Sequence, residues 1–182
     1  MADAKRSLSV PVVIDFEASG FGAESYPIEV GYILADGQRF CSLIRPQQDW
    51  VYWDRRAEAV HGLRRDLLMA RGLHAREVCI RLNTALQGTT VYSDAWNHDL
   101  CWLHRLYDAA GSAPSFKLES TLTLLTEEEA QHWHTMLNAV HRDVAGTRHR
   151  ASTDAAVIQR ALCRLIGIEP PAIGDDALAP VD

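Results

Sequence analysis

Val10-Pro-Val-Val-Ile-Asp15-Phe-Glu17-Ala-Ser-Gly20 is the stretch on which the fold turns. From Val10 to Phe16 the chain is apolar and largely β-branched, interrupted only by Asp15. A strand of that kind is buried on both faces, which places it inside a sheet with helices above and below. Asp15 and Glu17 are two positions apart, so their side chains leave the strand on the same face. Two neighbouring carboxylates repel each other and resist desolvation unless something positive joins them. Hard divalent cations, Mg²⁺ or Mn²⁺, supply that charge most simply because they take carboxylate oxygens and water. An exposed strand end would also tolerate the pair, so the pair alone does not decide.

Working outward, Ser19-Gly20-Phe21-Gly22 breaks the strand. Ile28 to Leu34 and Arg39 to Ile44 read as two further strands joined by Asp36-Gly37, a strong hairpin signal. An aromatic loop with Trp50, Tyr52 and Trp53 precedes helical patterns at about 55–70 and 74–87. A short strand at Thr89–Ser93, a helix from about Asp99 to Ala110 and a strand near Phe116–Glu119 follow. Thr126 with the next three glutamates resembles a capping box opening a helix to about Val144. Ala151 to Ile166 is a last amphipathic helix, stopped by Gly167. The order is an antiparallel start followed by strands alternating with helices. It predicts one α/β domain over residues 1–167, a mixed five-stranded sheet flanked by helices, with 168–182 as an acidic, proline-containing mobile tail.

The chain has 182 residues, 47% apolar and 23% charged, which is ordinary globular usage and excludes a disordered or collagen-like chain. No stretch reaches the length a membrane span needs, and the N-terminus lacks the apolar core of a secretory signal. The four cysteines stand far apart without a CxxC pair, so the expectation is a cytoplasmic protein with reduced thiols. Net charge is −6, yet Arg39 to Arg81 holds nine arginines against five acids. A basic patch of that size can meet phosphates on an acidic protein because distant charge is screened. A solvated charged surface would look the same, so charge decides nothing.

Further acids recur at comparable places. Asp94 and Asp99 flank the start of the helix that follows the fourth strand, and Asp154 lies in the first turn of the last helix. Each has an ordinary explanation as a cap or a first-turn acid favoured by the helix dipole. His149 precedes Asp154 by five residues. His132 and His134 are two apart on a helix and face different sides, so they do not make a zinc pair. His141-Arg-Asp143 mimics a kinase catalytic loop without the glycine-rich loop or Asp-Phe-Gly that would accompany it.

Taken together, the motifs carry a resemblance. Asp15-Phe-Glu17-Ala-Ser-Gly20 resembles the first motif, D-x-E-x-T-G, of the DnaQ-like, RNase T-type 3′→5′ exonucleases of the RNase H-like superfamily. His149-Arg-Ala-Ser-Thr-Asp154 is similar to their third motif, H-x-A-x-x-D, which marks the DEDDh branch. Asp99 matches the aspartate of the second motif, and Pro27-Ile-Glu-Val-Gly31 and Ala59-Val-His61-Gly62-Leu63 resemble segments between the first two. The likeness runs over roughly residues 10–166. Two departures stand out: Ser19 replaces the commoner threonine, and Asp94 lies five before Asp99 where the family often has an asparagine four before.

The resemblance implies an RNase H-like exonuclease fold and a metal-dependent 3′→5′ exonuclease with Asp15, Glu17, Asp99, His149 and Asp154 as catalytic residues. It implies two divalent cations, Mg²⁺ or Mn²⁺: Asp15, Glu17 and Asp154 on one, Asp15 bridging to the other with Asp99 close by, and His149 as general base. The partner implied is the 3′ end of single-stranded RNA or DNA, with RNA or short oligonucleotides favoured because small stand-alone members of the family process RNA. Ala18, Ser19, Gly20, Phe21, His61 and Asp94 are the candidate substrate contacts, Phe21 as a wedge between bases. Trp50, Tyr52 and Trp53 are open between base stacking, loop packing and a dimer contact. A homodimer is compatible with the family, and a membrane role is not expected. The alternative is a non-catalytic nucleic-acid-binding or polymerase-associated module on the same fold.

Overall fold

The structure, a computed structural model, describes residues 9–143, 150–174 and 176–178. Its centre is the strand read first from the sequence, β1 (Val12–Ala18). β2 (Pro27–Ile33) pairs antiparallel with it, and β3 (Arg39–Leu43) pairs antiparallel with β2. On the other side β4 (Thr90–Ser93) runs parallel to β1, and β5 (Lys117–Ser120) runs parallel to β4. The mixed sheet is as expected. It gains a sixth strand, β6 (Asp176–Leu178), parallel to β3, giving the order β5-β4-β1-β2-β3-β6. β6 comes from the segment expected to be a mobile tail: the free edge of β3 offers unpaired backbone groups, and an extended segment of the same chain satisfies them. Gly174 N–H also donates to Gly37 O at 3.0 Å, and Arg39 Nε donates to Gly174 O at 3.0 Å.

Helices cover both faces. On one side, α1 (Arg55–His61), α2 (Arg65–Arg71), α3 (Ala75–Leu86) and α4 (Trp96–Ala110) pack around Ile14, Phe16, Ile28 and Val30. The other side carries α5 (Glu127–Gln131), α6 (Trp133–Asp143) and α7 (Ala151–Ile166); there Val13 and Ile33 meet Trp133, Val140 and the apolar face of α7. Each fully buried aliphatic side chain in these layers contributes about 2 kcal/mol. The alternation along β1 puts Val13, Asp15 and Glu17 on the α7 side, and that is what positions the site.

The helix read over 55–70 is two helices, because Gly62 takes a left-handed φ of 70° that ends the first. The helix read from Thr126 is likewise split at His132, although the Thr126–Glu129 capping box forms. α4 starts three residues earlier than expected, so Asp99 lies in its first turn rather than opening it. Among the described residues no helix is long and apolar enough to cross a membrane. Cys41, Cys79 and Cys163 are buried free thiols, and Cys101 is exposed.

Candidate active site

The site lies at the carboxyl ends of the parallel neighbours β1 and β4, where open α/β sheets place their ligand crevices. A bulge between Glu17 and Ala18 shifts the β1–β2 register there and re-aims the end of the strand. α7 then crosses the sheet very close to β2. A Cβ on Gly31 would stand 2.2 Å from the backbone nitrogen of Ser152, so only glycine admits this approach. Arg150, the residue before α7, is fixed to the fully buried Glu29 of β2. The helix is thereby set with Asp154, in its first turn, over the acidic face of β1.

Carboxylate oxygens of Asp15, Glu17 and Asp154 all lie within 4.8 Å of one another. Burial is the largest cause of the shifts in this group, and mutual repulsion adds to it. Asp15 is pushed well above the usual carboxylate range by desolvation, then by the charges of Asp99, Glu17, Asp154 and Asp94. Desolvation, with Asp154 and Glu29 beside it, raises Glu17 to about 8; Arg150 opposes this only as the smallest of the named effects. Asp99 is 1% exposed, and burial raises it to about 8 even though Ser93 Oγ donates to its Oδ2. Its Oδ1 is buried with no hydrogen-bond partner among the described residues. Asp99 stays outside the group of three while acting electrostatically on Asp15.

A set of hard oxygens, half-buried and converging, is chemically suited to a divalent metal. The orphaned Oδ1 of Asp99 supports the same conclusion, since an unpaired buried carboxylate oxygen costs free energy that a cation or its water would recover. The residues therefore fit the metal that the sequence motifs imply.

Around the carboxylates opens a cavity of about 530 Å³. Asp15, Glu17, Asp99 and Asp154 lie on it together with Ala18, Gly20, Phe21 and His61. Phe21 is 67% exposed, its ring edge-on to His98 at 5.4 Å and 6.2 Å from Trp102. His61 is buried, and Leu63 N–H donates to its Nδ1 at 3.0 Å, which puts the proton of the neutral ring on Nε2. Arg56, Val60, His98 and Trp102 also line the cavity. The sequence reading missed these four because each sits in an ordinary helical pattern; the spacing of His98 and Trp102 around Asp99 was the available signal.

Some expectations fall elsewhere. Ser19, expected among the substrate contacts, is fully buried: its Oγ accepts from Tyr26 N–H at 3.2 Å, its N–H donates to Tyr26 O at 2.9 Å, and its carbonyl accepts from Asp54 N–H at 2.8 Å. Its polar groups are thus committed to holding the end of β1. Asp94 does not line the cavity; it is raised by burial, and its charge acts on Asp15 and Asp99. The aromatic loop packs inward: Trp50 stacks on Tyr26 at 5.1 Å, Tyr52 lies against Gly20, and Trp53 Nε1 donates to Glu58 Oε2 at 2.6 Å. None of the three lines the cavity. His149 lies outside the described residues.

No protein-family model and no curated protein matches the sequence. Solved structures do. A moderately thermophilic exonuclease I from Methylocaldum szegediense is similar over 88% of this chain, at 15% identity and a TM-score of 0.63. E. coli exonuclease I in complex with a 5cy-dT13 oligonucleotide is similar over 87%, at 13% identity and a TM-score of 0.66. The zinc-bound E. coli exonuclease I–ssDNA complex also covers 87%, at 12% identity and a TM-score of 0.66. This chain spans about two fifths of the length of those proteins, 42%, 42% and 40% respectively. The likeness is one of fold: the mixed sheet flanked by helices is shared with those exonuclease structures.

Proposed function

We propose that the chain is a metal-dependent nuclease of the DEDDh type that removes nucleotides one at a time from the 3′ end of single-stranded nucleic acid, releasing nucleoside 5′-monophosphates. One observation carries this reading: Asp15 and Glu17, from the start of the chain, meet Asp154, from near its end, in a half-buried cluster whose carboxylate oxygens lie within 4.8 Å of one another. The exonuclease fold supports it, as do the single-stranded DNA and the zinc held by E. coli exonuclease I.

Asp15, Glu17 and Asp154 would hold one Mg²⁺ or Mn²⁺, and Asp15 with Asp99 would reach a second. When bound, such cations neutralise the charge that develops on the attacking and leaving oxygens of a phosphodiester. His149 takes the proton from the attacking water, a task suited to an imidazole with an ordinary pKa near 6.5. The water oxygen bonds to phosphorus and the P–O3′ bond breaks; the leaving 3′ oxygen takes a proton from solvent, leaving a 3′-hydroxyl on the shortened strand and a nucleoside 5′-monophosphate in the cavity. Phe21 stacks against the terminal base, while Ala18, Gly20 and His61 enclose the terminal nucleoside. Arg56, the one arginine lining the cavity among the described residues, suits a phosphate of the strand.

The test is hydrolysis of 5′-labelled single-stranded RNA and DNA of equal sequence with Mn²⁺, Mg²⁺ or EDTA. A ladder shortening by one nucleotide from the 3′ end, only with metal, is the expected result. The two sugars run side by side give the preference between RNA and DNA. Folded, metal-loaded protein that binds strands without cutting them overturns the enzyme in favour of a binding module.

A further inference from the structure

Phe21 stands between two glycines, Gly20 and Gly22, on the turn that leaves β1, a setting that by itself would let an exposed ring swing freely. The turn is instead tied down from α4. Trp102 Nε1 donates to Ser25 Oγ at 2.8 Å, and Ser25 Oγ donates onward to Gly22 O at 2.8 Å. One turn further along the helix, Arg105 Nη1 donates to Ala23 O at 3.0 Å and to Ser25 O at 3.1 Å. The guanidinium of Arg105 lies 5.8 Å over the ring of Trp50, which is itself stacked on Tyr26, the residue after the turn. Trp102 and Ser25 are both buried, so their hydrogen bond is shielded from water.

Asp99, Trp102 and Arg105 follow one another at intervals of three on α4 and so share one side of the helix. One rigid element therefore presents a carboxylate to the acidic cluster and, a turn or two later, grips the loop that bears the exposed ring. We propose that Trp102 and Arg105 are positioning residues that fix Phe21 relative to the carboxylates and thereby set the affinity for the terminal base. This rests on the nuclease reading above. Trp102 acts through the Ser25–Gly22 link and Arg105 through the carbonyls of Ala23 and Ser25.

The experiment compares wild type with Trp102→Phe, Ser25→Ala, Arg105→Ala and Arg105→Lys. Trp102→Phe keeps an aromatic ring while losing the donor and part of the indole surface against Phe21 and His98, and Ser25→Ala removes the acceptor with the smallest change in volume. KM for a single-stranded oligonucleotide should rise about fivefold to tenfold in Trp102→Phe, Ser25→Ala and Arg105→Ala, the effect of a shielded hydrogen bond at Trp102 and Ser25 and of two more exposed ones at Arg105. Turnover at saturation should stay within about twofold, and Mn²⁺ affinity should not move, because the carboxylates are untouched. Trp102→Phe combined with Ser25→Ala should be no worse than either alone, since both break the same link. Arg105→Lys should recover part of the loss, because an ammonium still donates to the carbonyls. A second readout needs no turnover: with Ca²⁺ in place of Mn²⁺, an oligonucleotide carrying 2-aminopurine at its 3′ end should be quenched by wild type and less so by the variants.

Unchanged KM and quenching in folded variants overturn the proposal. So does lower turnover with a lower melting temperature and an unchanged KM, which is the signature of a purely structural contact. Wild type that neither cleaves nor binds oligonucleotide overturns the nuclease reading instead. That outcome is distinct from a failed clamp, where wild type binds and the variants bind equally well.

Discussion

Glu29 and Arg150 form a two-pronged ion pair across 121 residues of chain, Arg150 Nε and Nη2 donating to Glu29 Oε1 at 2.9 and 2.7 Å. The same carboxylate accepts from the backbone N–H of Ala151 at 2.9 Å, so it also binds the first residue of α7. Glu29 stands directly opposite Glu17 in the β1–β2 register. Like charges facing each other across a sheet are unfavourable, and Arg150 neutralises one of them. The pair thus anchors the helix that brings Asp154 to the cluster.

Glu29→Gln should loosen this anchor without removing any proposed ligand. Because the guanidinium keeps access to water, the loss of stability should be about 2 kcal/mol, below that for a fully enclosed pair. Mn²⁺ affinity should fall about tenfold as Asp154 loses its fixed position. Chemical denaturation and a Mn²⁺ titration check both; a variant equal to wild type in each would show that the anchor does not set the cluster.

Asp15→Asn should abolish metal-dependent hydrolysis while making the metal-free protein more stable. Asp15 is pressed by burial and by the charges of Asp99, Glu17, Asp154 and Asp94, and an amide removes that repulsion. A gain of about 1 kcal/mol, or about 3 °C in melting temperature, is expected in EDTA. Turnover at the wild-type rate would sink the metal assignment, and a lower melting temperature in EDTA would contradict the electrostatics.

The metal-free protein should lose stability as pH rises. Glu17 and Asp99 are raised to about 8 in the folded protein, against ordinary values near 4 in the unfolded chain. The folded state therefore binds more protons between those limits. Its stabilisation by the protonated groups is complete below about pH 4 and is lost as pH climbs towards 8. Mn²⁺ should flatten the slope by taking the place of the protons. Melting temperatures from pH 5 to 8.5, with EDTA and with Mn²⁺, read this directly; an EDTA curve that rises with pH would contradict it.

Two glycine substitutions should separate packing from turn geometry. Gly31→Ala would put a Cβ 2.2 Å from the backbone nitrogen of Ser152, so α7 must move away from β2. A loss of about 3 kcal/mol, together with weakened Mn²⁺ binding, is expected. Gly62→Ala meets no atom within 4 Å and pays only for its left-handed φ, about 1 kcal/mol, with Mn²⁺ binding intact. Equal effects of the two on the metal would remove the role assigned to the close approach.

His149→Ala should slow turnover at least a hundredfold while leaving Mn²⁺ affinity within about twofold, as expected for a base rather than a ligand. Lost metal binding would make it a ligand instead.

What the sequence made legible was local in origin. β1 declared itself because its apolar run has no helical period, and Asp15 and Glu17 follow from the two-residue alternation of a strand. α7 was read over its observed range, since a long amphipathic pattern ending in glycine has few alternatives. Glu29 was hidden: an acid inside a strand buried at every position makes sense only beside its distant arginine. Ser19, expected to offer backbone groups to a substrate, has its N–H and carbonyl taken by Tyr26 and Asp54, a choice made by tertiary packing. β6 was missed because a three-residue strand on a sheet edge is specified by the edge it joins.

The acidic cluster joins residues 15 and 17 to residue 154, so two of its members are separated from the third by most of the chain. During synthesis the β1–β2 hairpin emerges early, with its acidic pair already in register. The third carboxylate and the helix that covers Val13 arrive only near the end. A nascent chain stopped before α7 carries two acids beside a bare apolar strand face, without the third carboxylate of the cluster. The three carboxylates therefore come together only once α7 has been made and packed against β1 and β2.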